Sequence, residues 1–116
     1  MESSEHLVRA HIDAFNRGDL PALLAGLAED VIWRTGTDVF QGRRAVHDFL
    51  ADAVAGLGPQ LHIRGLISEP GRTACELYET YEYVGETREG HLAAFFEFAG
   101  PLIRRVKVYH EGSTDP

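Results

Sequence analysis

The sequence is poor in cysteine and has no excess of positive charge. Its 116 residues include a single cysteine, Cys75, which excludes an internal disulfide framework and favours a reducing compartment. Acidic residues number 18 and basic residues 11, so the formal net charge is −7. Proteins that bind nucleic acids or anionic membranes concentrate basic residues on one face. We therefore expect neither of these partners.

Long hydrophobic runs and metal-binding spacings are also missing from the sequence. No apolar run approaches the roughly 18 residues that span a bilayer, and the N-terminus is polar and acidic, which together predict a cytoplasmic protein. The six histidines form no His-x-His or His-x-x-x-His pair, and no glycine-rich phosphate loop, nucleophile elbow or dinucleotide fingerprint occurs. The sequence thus predicts no metal and no cofactor.

The composition that remains is typical of one globular domain. Apolar residues make up 44% of the chain and charged residues 25%. The length corresponds to a single domain over residues 1–116, in which about 111–116 form a flexible tail.

Hydrophobic periodicity predicts three helices in the first half of the chain. Residues 4–17 carry an apolar stripe at spacings of three and four, with Ser4 as the N-cap and Gly18 as the stop. A second helix follows at once and continues to Ala28, and a third extends from about 43 to 54.

In the second half of the chain the apolar residues recur with a period of two, which predicts a sheet. Strands are expected at 60–69, 73–84, 87–98 and 102–110, in addition to the β-type residues 31–33. The short separators make consecutive strands antiparallel neighbours. The predicted fold is therefore α+β, with the helices collected on one face of the sheet.

Alternation along the strands divides their side chains between a helix-covered face and an outer face. The helix-covered face is nominated by its apolar members, Leu77, Tyr81, Leu92, Phe96, Val106 and Val108. Three polar residues share it, namely Glu79, Arg104 and His110, and His11 of the first helix faces the same volume.

These four polar residues are the candidate catalytic and binding groups. A carboxylate at Glu79, between apolar neighbours, is costly unless it is paired or protonated. It is therefore a general acid or base, or one half of a structural ion pair with Arg104. Arg104 could instead bind a substrate oxyanion through its planar guanidinium. His11 is either a hydrogen-bonding group for a ligand or a satisfied core residue.

Several segments resemble the SnoaL-like proteins of the nuclear-transport-factor-2-like superfamily. They are AFNRGDLPALL at 14–24, EDVIW at 29–33 and FQGRRAV at 40–46, and residues 96–98 and 103–109 fit the same pattern. The resemblance implies a cone-shaped α+β fold, in which a curved, mixed or antiparallel sheet wraps around the N-terminal helices and encloses an apolar cavity. It also implies a homodimer, which we expect to form through aromatic and aliphatic residues of the outer face, Tyr78, Phe95, Ile103 and Tyr109.

The family that this resemblance implies includes several activities, which differ in their functional residues. Ketosteroid isomerases use an aspartate base just after the first strand, where this chain has Thr35. Their oxyanion hole pairs a tyrosine with a protonated aspartate, and these positions correspond to His11 and Ala94. Because both carboxyl groups are missing, steroid isomerisation by that mechanism is disfavoured.

We predict a cofactor-independent acid–base enzyme of the isomerase, cyclase or dehydratase type that acts on a small hydrophobic oxygenated molecule. In this hypothesis Glu79 moves the proton, and His11 or Arg104 stabilises the enolate. The predicted substrate-binding residues are Phe15, Trp33, Thr35, Leu77, Tyr81, Leu92, Phe96, Val106, Val108 and His110. The alternative is a non-catalytic ligand-binding or dimerisation domain of the same fold.

Overall fold

Three helices and six strands make up the part of the chain that the computed structural model describes, residues 3–56 and 58–111. The helices are α1 (Ser4–Arg17), α2 (Leu20–Ala25) and α3 (Arg43–Ala55). The strands are β1 (Leu27–Thr35), β2 (Asp38–Gln41), β3 (Gln60–Glu69), β4 (Arg72–Tyr83), β5 (Glu86–Ala99) and β6 (Leu102–His110). Beyond residue 111, the predicted flexible tail lies outside the described residues. No helix in the described ranges is long and apolar enough to cross a membrane.

Helix α1 is attached to the sheet at both of its ends. Its N-cap is Ser3 and not, as predicted, Ser4. The Ser4 hydroxyl instead donates to the carbonyl oxygen of Glu69 at 3.0 Å and accepts from the Gly71 N–H at 3.0 Å, which joins the helix to the β3–β4 turn. Because two serines follow each other at the start of the helix, one hydroxyl can cap it while the other binds the turn.

At the other end of α1, a single amide side chain provides the attachment. The Asn16 side chain donates to the Leu61 carbonyl at 2.9 Å and accepts from the Leu61 N–H at 2.7 Å. Helix α1 then ends at Gly18, whose left-handed backbone (φ 67°) suits a residue without a Cβ. The predicted extent of this helix is confirmed.

Helix α2 is shorter than predicted, because the chain enters the sheet earlier. Asp19 caps it by accepting from the backbone N–H of Ala22 at 3.1 Å, as expected. The helix ends at Ala25, however, and the predicted helical residue Ala28 belongs to β1. The preceding Leu27 is fully buried and pairs with Ile103 of β6, so tertiary packing outweighs helix propensity here.

The six strands form one curved, open sheet in the order β2-β1-β6-β5-β4-β3. The four C-terminal strands form the predicted antiparallel succession, with bounds within about a residue of those expected. β1 lies parallel to β6, which makes the sheet mixed. Strand β2 was not predicted; it is four residues long and largely exposed, so it carries no alternating apolar pattern.

The predicted division of faces is correct for β5. Phe96 is 2% exposed under the helices, whereas Phe95 is 50% exposed on the outer face. The neighbouring β6 departs from the prediction at its start, because Glu97 pairs with Arg105 while Phe98 pairs with Ile103. The β-bulge inserts one extra residue and reverses the alternation.

The bulge moves two residues away from their predicted positions. Ile103, expected on the outer face, is 2% exposed in the core. Arg104, expected in the cavity, is exposed, and its Nε lies 3.6 Å from a carboxylate oxygen of Asp30. The prediction of Arg104 as a cavity residue was therefore wrong.

Candidate active site

A cavity of about 140 Å³ lies between the sheet, α1 and α3. Ten of the thirteen predicted site residues line it: His11, Phe15, Trp33, Thr35, Leu77, Glu79, Leu92, Phe96, Val108 and His110. The prediction missed its α3 side, Phe49, Leu50 and Ala53, and also Ile12, Pro59, Leu61 and Ala94. The apolar stripe of α3 could have indicated its three residues, since such a stripe faces the core.

Three predicted site residues do not contribute to the cavity lining. Arg104 is displaced by the bulge in β6. Tyr81 is half-buried farther along β4, where it pairs with Arg88. Val106 is fully buried and pairs with Phe96, so it supports the cavity floor from within the core.

His11 is the buried polar group of the cavity. It lies on the apolar stripe of α1 and is 8% exposed, with its ring centroid 5.8 Å from that of Trp33 and 5.7 Å from that of Phe96. Burial lowers the pKa of its imidazole to about 4, so the ring is neutral at pH 7. Within residues 3–56 and 58–111, no group hydrogen-bonds to this ring. Its N–H and its lone pair are therefore available to a ligand.

The depressed pKa of His11 predicts an acid-sensitive stability. The unfolded state binds a proton near pH 6.5 and the folded state only near pH 4, so folding is progressively opposed as pH falls through that window. We expect wild-type protein to lose on the order of 3 kcal/mol of unfolding free energy from this source between about pH 6.5 and 4. The His11→Gln variant should not show this loss of unfolding free energy, as measured by urea unfolding of both proteins across this pH range. An NMR titration with a His11 midpoint near 6.5 would contradict the prediction.

Glu79 enters the cavity from the sheet floor, opposite a glycine. It pairs with Gly90 of β5 and with Leu61 of β3. Its Oε1 lies 3.2 Å from the point that a Cβ on residue 90 would occupy, so the carboxylate lies across Gly90. No described residue forms a hydrogen bond or an ion pair with it, and Arg104 pairs with Asp30 instead. The alternative that Glu79 and Arg104 form a structural ion pair is therefore wrong.

Two further polar side chains lie close together where β1 and β6 end. Thr35 Oγ1 and His110 Nε2 are 3.3 Å apart, and both side chains line the cavity. His110 is exposed, so this pair belongs to the cavity rim and not to its interior. The sequence predicted both residues for the site but gave no indication of their contact, because they are 75 positions apart.

Aromatic rings surround the inner end of the cavity. Trp33 contacts His11 and lies 5.9 Å from Phe49, which stacks on Phe40 at 4.5 Å between ring centroids. The Trp33 indole nitrogen is buried without a hydrogen-bond partner among the described residues. This end of the cavity is therefore apolar apart from unpaired N–H groups.

Metal-ligating and nucleophilic side chains are not gathered at the site. Within the described ranges, no three His, Cys, Asp or Glu side chains form a group that could hold a metal ion. Cys75 is 3% exposed, and burial raises the pKa of its thiol to about 11, which keeps it protonated at neutral pH. It packs as a small core residue.

Comparison with known domains identifies the family of this chain. The SnoaL-like domain model matches residues 8–106. The chain belongs to the SnoaL-like domain family. This confirms the resemblance seen in the sequence. A search of curated proteins gave no significant match.

Solved structures of similar fold carry differing names. A candidate polyketide cyclase from Xanthomonas campestris is 29% identical (TM-score 0.79), over 92% of this chain and 89% of that one. A candidate ketosteroid isomerase from Kribbella flavida is 21% identical (TM-score 0.84), over 96% of this chain and 79% of that one. An epoxide hydrolase of the LEH-like type from M. tuberculosis is 18% identical (TM-score 0.83), over 96% of this chain and 86% of that one. At such identities the fold is shared, and the reaction must be argued from the site.

Proposed function

We propose that this SnoaL-like protein is a cofactor-independent acid–base enzyme that isomerises, cyclises or dehydrates a small hydrophobic oxygenated molecule. One observation carries the proposal: a carboxylate and a neutral imidazole line the same apolar cavity, and neither has a hydrogen-bonding partner among the described residues. Polar groups left unpaired in an apolar setting reduce stability. Their presence is accounted for if a ligand supplies the missing partners.

The two groups have complementary roles in this proposal. Glu79 removes a proton from the carbon next to a carbonyl, and the electron pair of the broken C–H bond moves onto the carbonyl oxygen. His11 donates its N–H to that oxygen, and a neutral imidazole suits this role because it retains its proton throughout. Glu79, now a carboxylic acid, then returns the proton to another atom of the substrate.

The proposal differs from the steroid isomerase mechanism in the position of its acid–base group. Thr35 and Ala94 line the cavity, but neither side chain has a carboxyl group. Glu79 supplies the carboxylate from β4 instead. Arg104 has no role, because it lies outside the cavity.

A proton-exchange assay tests the function without knowledge of the natural substrate. We expect the protein to accelerate exchange of the α-hydrogens of cyclohexanone in D2O, followed by loss of the α-proton NMR signal. Glu79→Gln protein at the same concentration serves as the control for surface catalysis. Binding of the ketone without accelerated exchange would refute the enzyme and support the non-catalytic binding domain.

Gly90 gives a further prediction, as a positioning residue for Glu79. In Gly90→Ala the new Cβ would stand 3.2 Å from Oε1 of Glu79, closer than most real Cβ contacts, so the carboxylate must shift. We expect at least a ten-fold lower exchange kcat with little change in Tm, since a small misplacement of a reacting group is costly. Gly26→Ala is the matched control, because its Cβ would meet only ordinary contacts at 3.7 Å. Unchanged exchange in Gly90→Ala would contradict this role.

We also propose that the protein forms a homodimer through the outer face of the sheet. Phe95 and Tyr109 are each 50% exposed there and contact each other edge-to-face at 5.9 Å. Glu97 and Arg105 lie beside them as register partners on neighbouring strands, so this face offers both charge signs to a second copy. We expect a dimer mass by light scattering at micromolar concentration and about ten-fold weaker association in Phe95→Arg. A monomer mass for the wild-type protein would refute the dimer.

A further inference from the structure

A second hydrogen-bond donor lies at the inner end of the cavity. Trp33 is 6% exposed, and its indole nitrogen is buried without a hydrogen-bond partner among residues 3–56 and 58–111. An indole N–H can only donate, so it needs an acceptor such as an oxygen atom. Buried donors in folded proteins are almost always paired, and an unpaired one reduces stability unless a ligand or water supplies the partner.

The neighbouring side chains place the Trp33 ring beside His11. Its ring centroid lies 5.8 Å from that of His11 and 5.9 Å from that of Phe49, and all three side chains line the cavity. One oxygen can accept from two N–H groups whose nitrogen atoms are up to about 6 Å apart, twice the usual N–H···O length. The separation of the two rings therefore suits a shared acceptor. Because the indole nitrogen is closed to solvent, the ring must turn slightly for an oxygen to reach it.

We propose that the indole N–H of Trp33 and the imidazole N–H of His11 together bind the carbonyl oxygen on which the enolate forms, provided that the acid–base function proposed above is correct. A neutral imidazole has no charge to offset that of the enolate. A second donor adds stabilisation that grows as negative charge develops on the oxygen, which is the condition for lowering the barrier. The apolar surroundings strengthen both hydrogen bonds, because little solvent is present to screen them.

The chain contains a single tryptophan, so one NMR signal reports on the proposed contact. The indole N–H of Trp33 gives one peak in a proton–nitrogen correlation spectrum, and formation of a hydrogen bond to oxygen moves its proton signal downfield. We expect this shift on titration with cyclohexanone. Methylenecyclohexane is the matched ligand, since a CH2 group replaces the carbonyl oxygen on the same ring, and it should cause no comparable shift. Equal shifts with the two ligands, or no shift with cyclohexanone, would overturn the proposal.

The Trp33→Phe variant measures what the N–H contributes to binding and to exchange. An aromatic ring remains in this variant, but the donor is lost. We expect the Kd preference for cyclohexanone over methylenecyclohexane to fall about three- to ten-fold, the contribution of one hydrogen bond. Comparison of the two ligands cancels the packing lost with the smaller ring. The exchange kcat should fall at least about ten-fold, since His11 alone would then bind the oxyanion. An unchanged Kd preference would overturn the proposal.

Incorporation of 3-benzothienylalanine at residue 33 provides a second variant if Trp33→Phe does not fold. This amino acid keeps the two fused rings and replaces the N–H with sulfur, so the same losses of preference and kcat are expected. Because the N–H has no partner among the described residues, its removal should not lower Tm. A lower Tm with unchanged exchange would mean that the N–H is structural, which would overturn the proposal.

The two proposals can fail separately in these experiments. If cyclohexanone shifts the Trp33 signal but exchanges equally fast in wild type and Glu79→Gln, the pair of donors stands as a ketone-binding site and the enzyme proposal fails. If exchange depends on Glu79 and is fully retained in the benzothienylalanine variant, the enzyme stands and the role of Trp33 fails.

Discussion

Replacing Glu79 with glutamine is expected to lower the α-proton exchange rate of bound cyclohexanone by about 10²-fold or more, the scale of a general acid–base contribution. Glutamine keeps the size of the side chain and its position over Gly90 but cannot take up the proton. Because no described residue pairs with the carboxylate, its removal leaves no buried charge unpaired. We therefore expect Tm to remain unchanged and Kd for the ketone to change little.

The control for this variant is Glu76→Gln. Glu76 lies on the same strand, three positions earlier, and is exposed on the outer face. The Glu76→Gln variant should retain full exchange activity and an unchanged Tm. A large drop in Tm for Glu79→Gln, or an equal loss of exchange in both variants, would contradict the catalytic role of Glu79.

The sequence was sufficient to predict most of the fold, because its strongest signals are periodic. The stripe of α1 and the alternation of β4 and β5 are long and almost uninterrupted, so their bounds and buried faces follow from spacing alone. Strand β2 is too short and too exposed to produce such a signal. Its pairing with β1 is a tertiary effect.

The lining of the cavity was predictable wherever the alternation holds. Glu79 and His110 lie on the expected side of their strands, as does Phe96. Arg104 fails because one inserted residue in β6 reverses the alternation, and nothing in a regular pattern of period two marks a bulge.

Contacts between distant residues were beyond the sequence for a different reason. Thr35 and His110 meet only because β1 lies parallel to β6, a pairing that depends on the whole sheet. The position of Glu79 over Gly90 likewise depends on the register between two strands. Spacing along the chain identifies candidate residues, and the register decides which of them meet.

The largest effect on stability is expected from Phe96→Ala, which should lower the free energy of unfolding by about 3–5 kcal/mol. Phe96 is 2% exposed, and its ring lies 5.7 Å from that of His11 and 6.5 Å from that of Phe98, so its loss opens a void between the sheet and α1. The neighbouring Phe95 offers a matched control, since the same substitution there removes a half-exposed ring and should cost no more than about 1 kcal/mol.

Urea unfolding of Phe96→Ala, Phe95→Ala and wild type measures the difference directly, as a shift in midpoint at constant slope. The measurements should be made at two protein concentrations, because a dimer formed through Phe95 would make its apparent stability depend on concentration. Comparable losses in the two variants at both concentrations would mean that the two faces of β5 are not divided between core and surface. A loss confined to Phe96→Ala shows that the helix-covered face carries the core, and with it the walls of the cavity in which Glu79 and His11 are proposed to act.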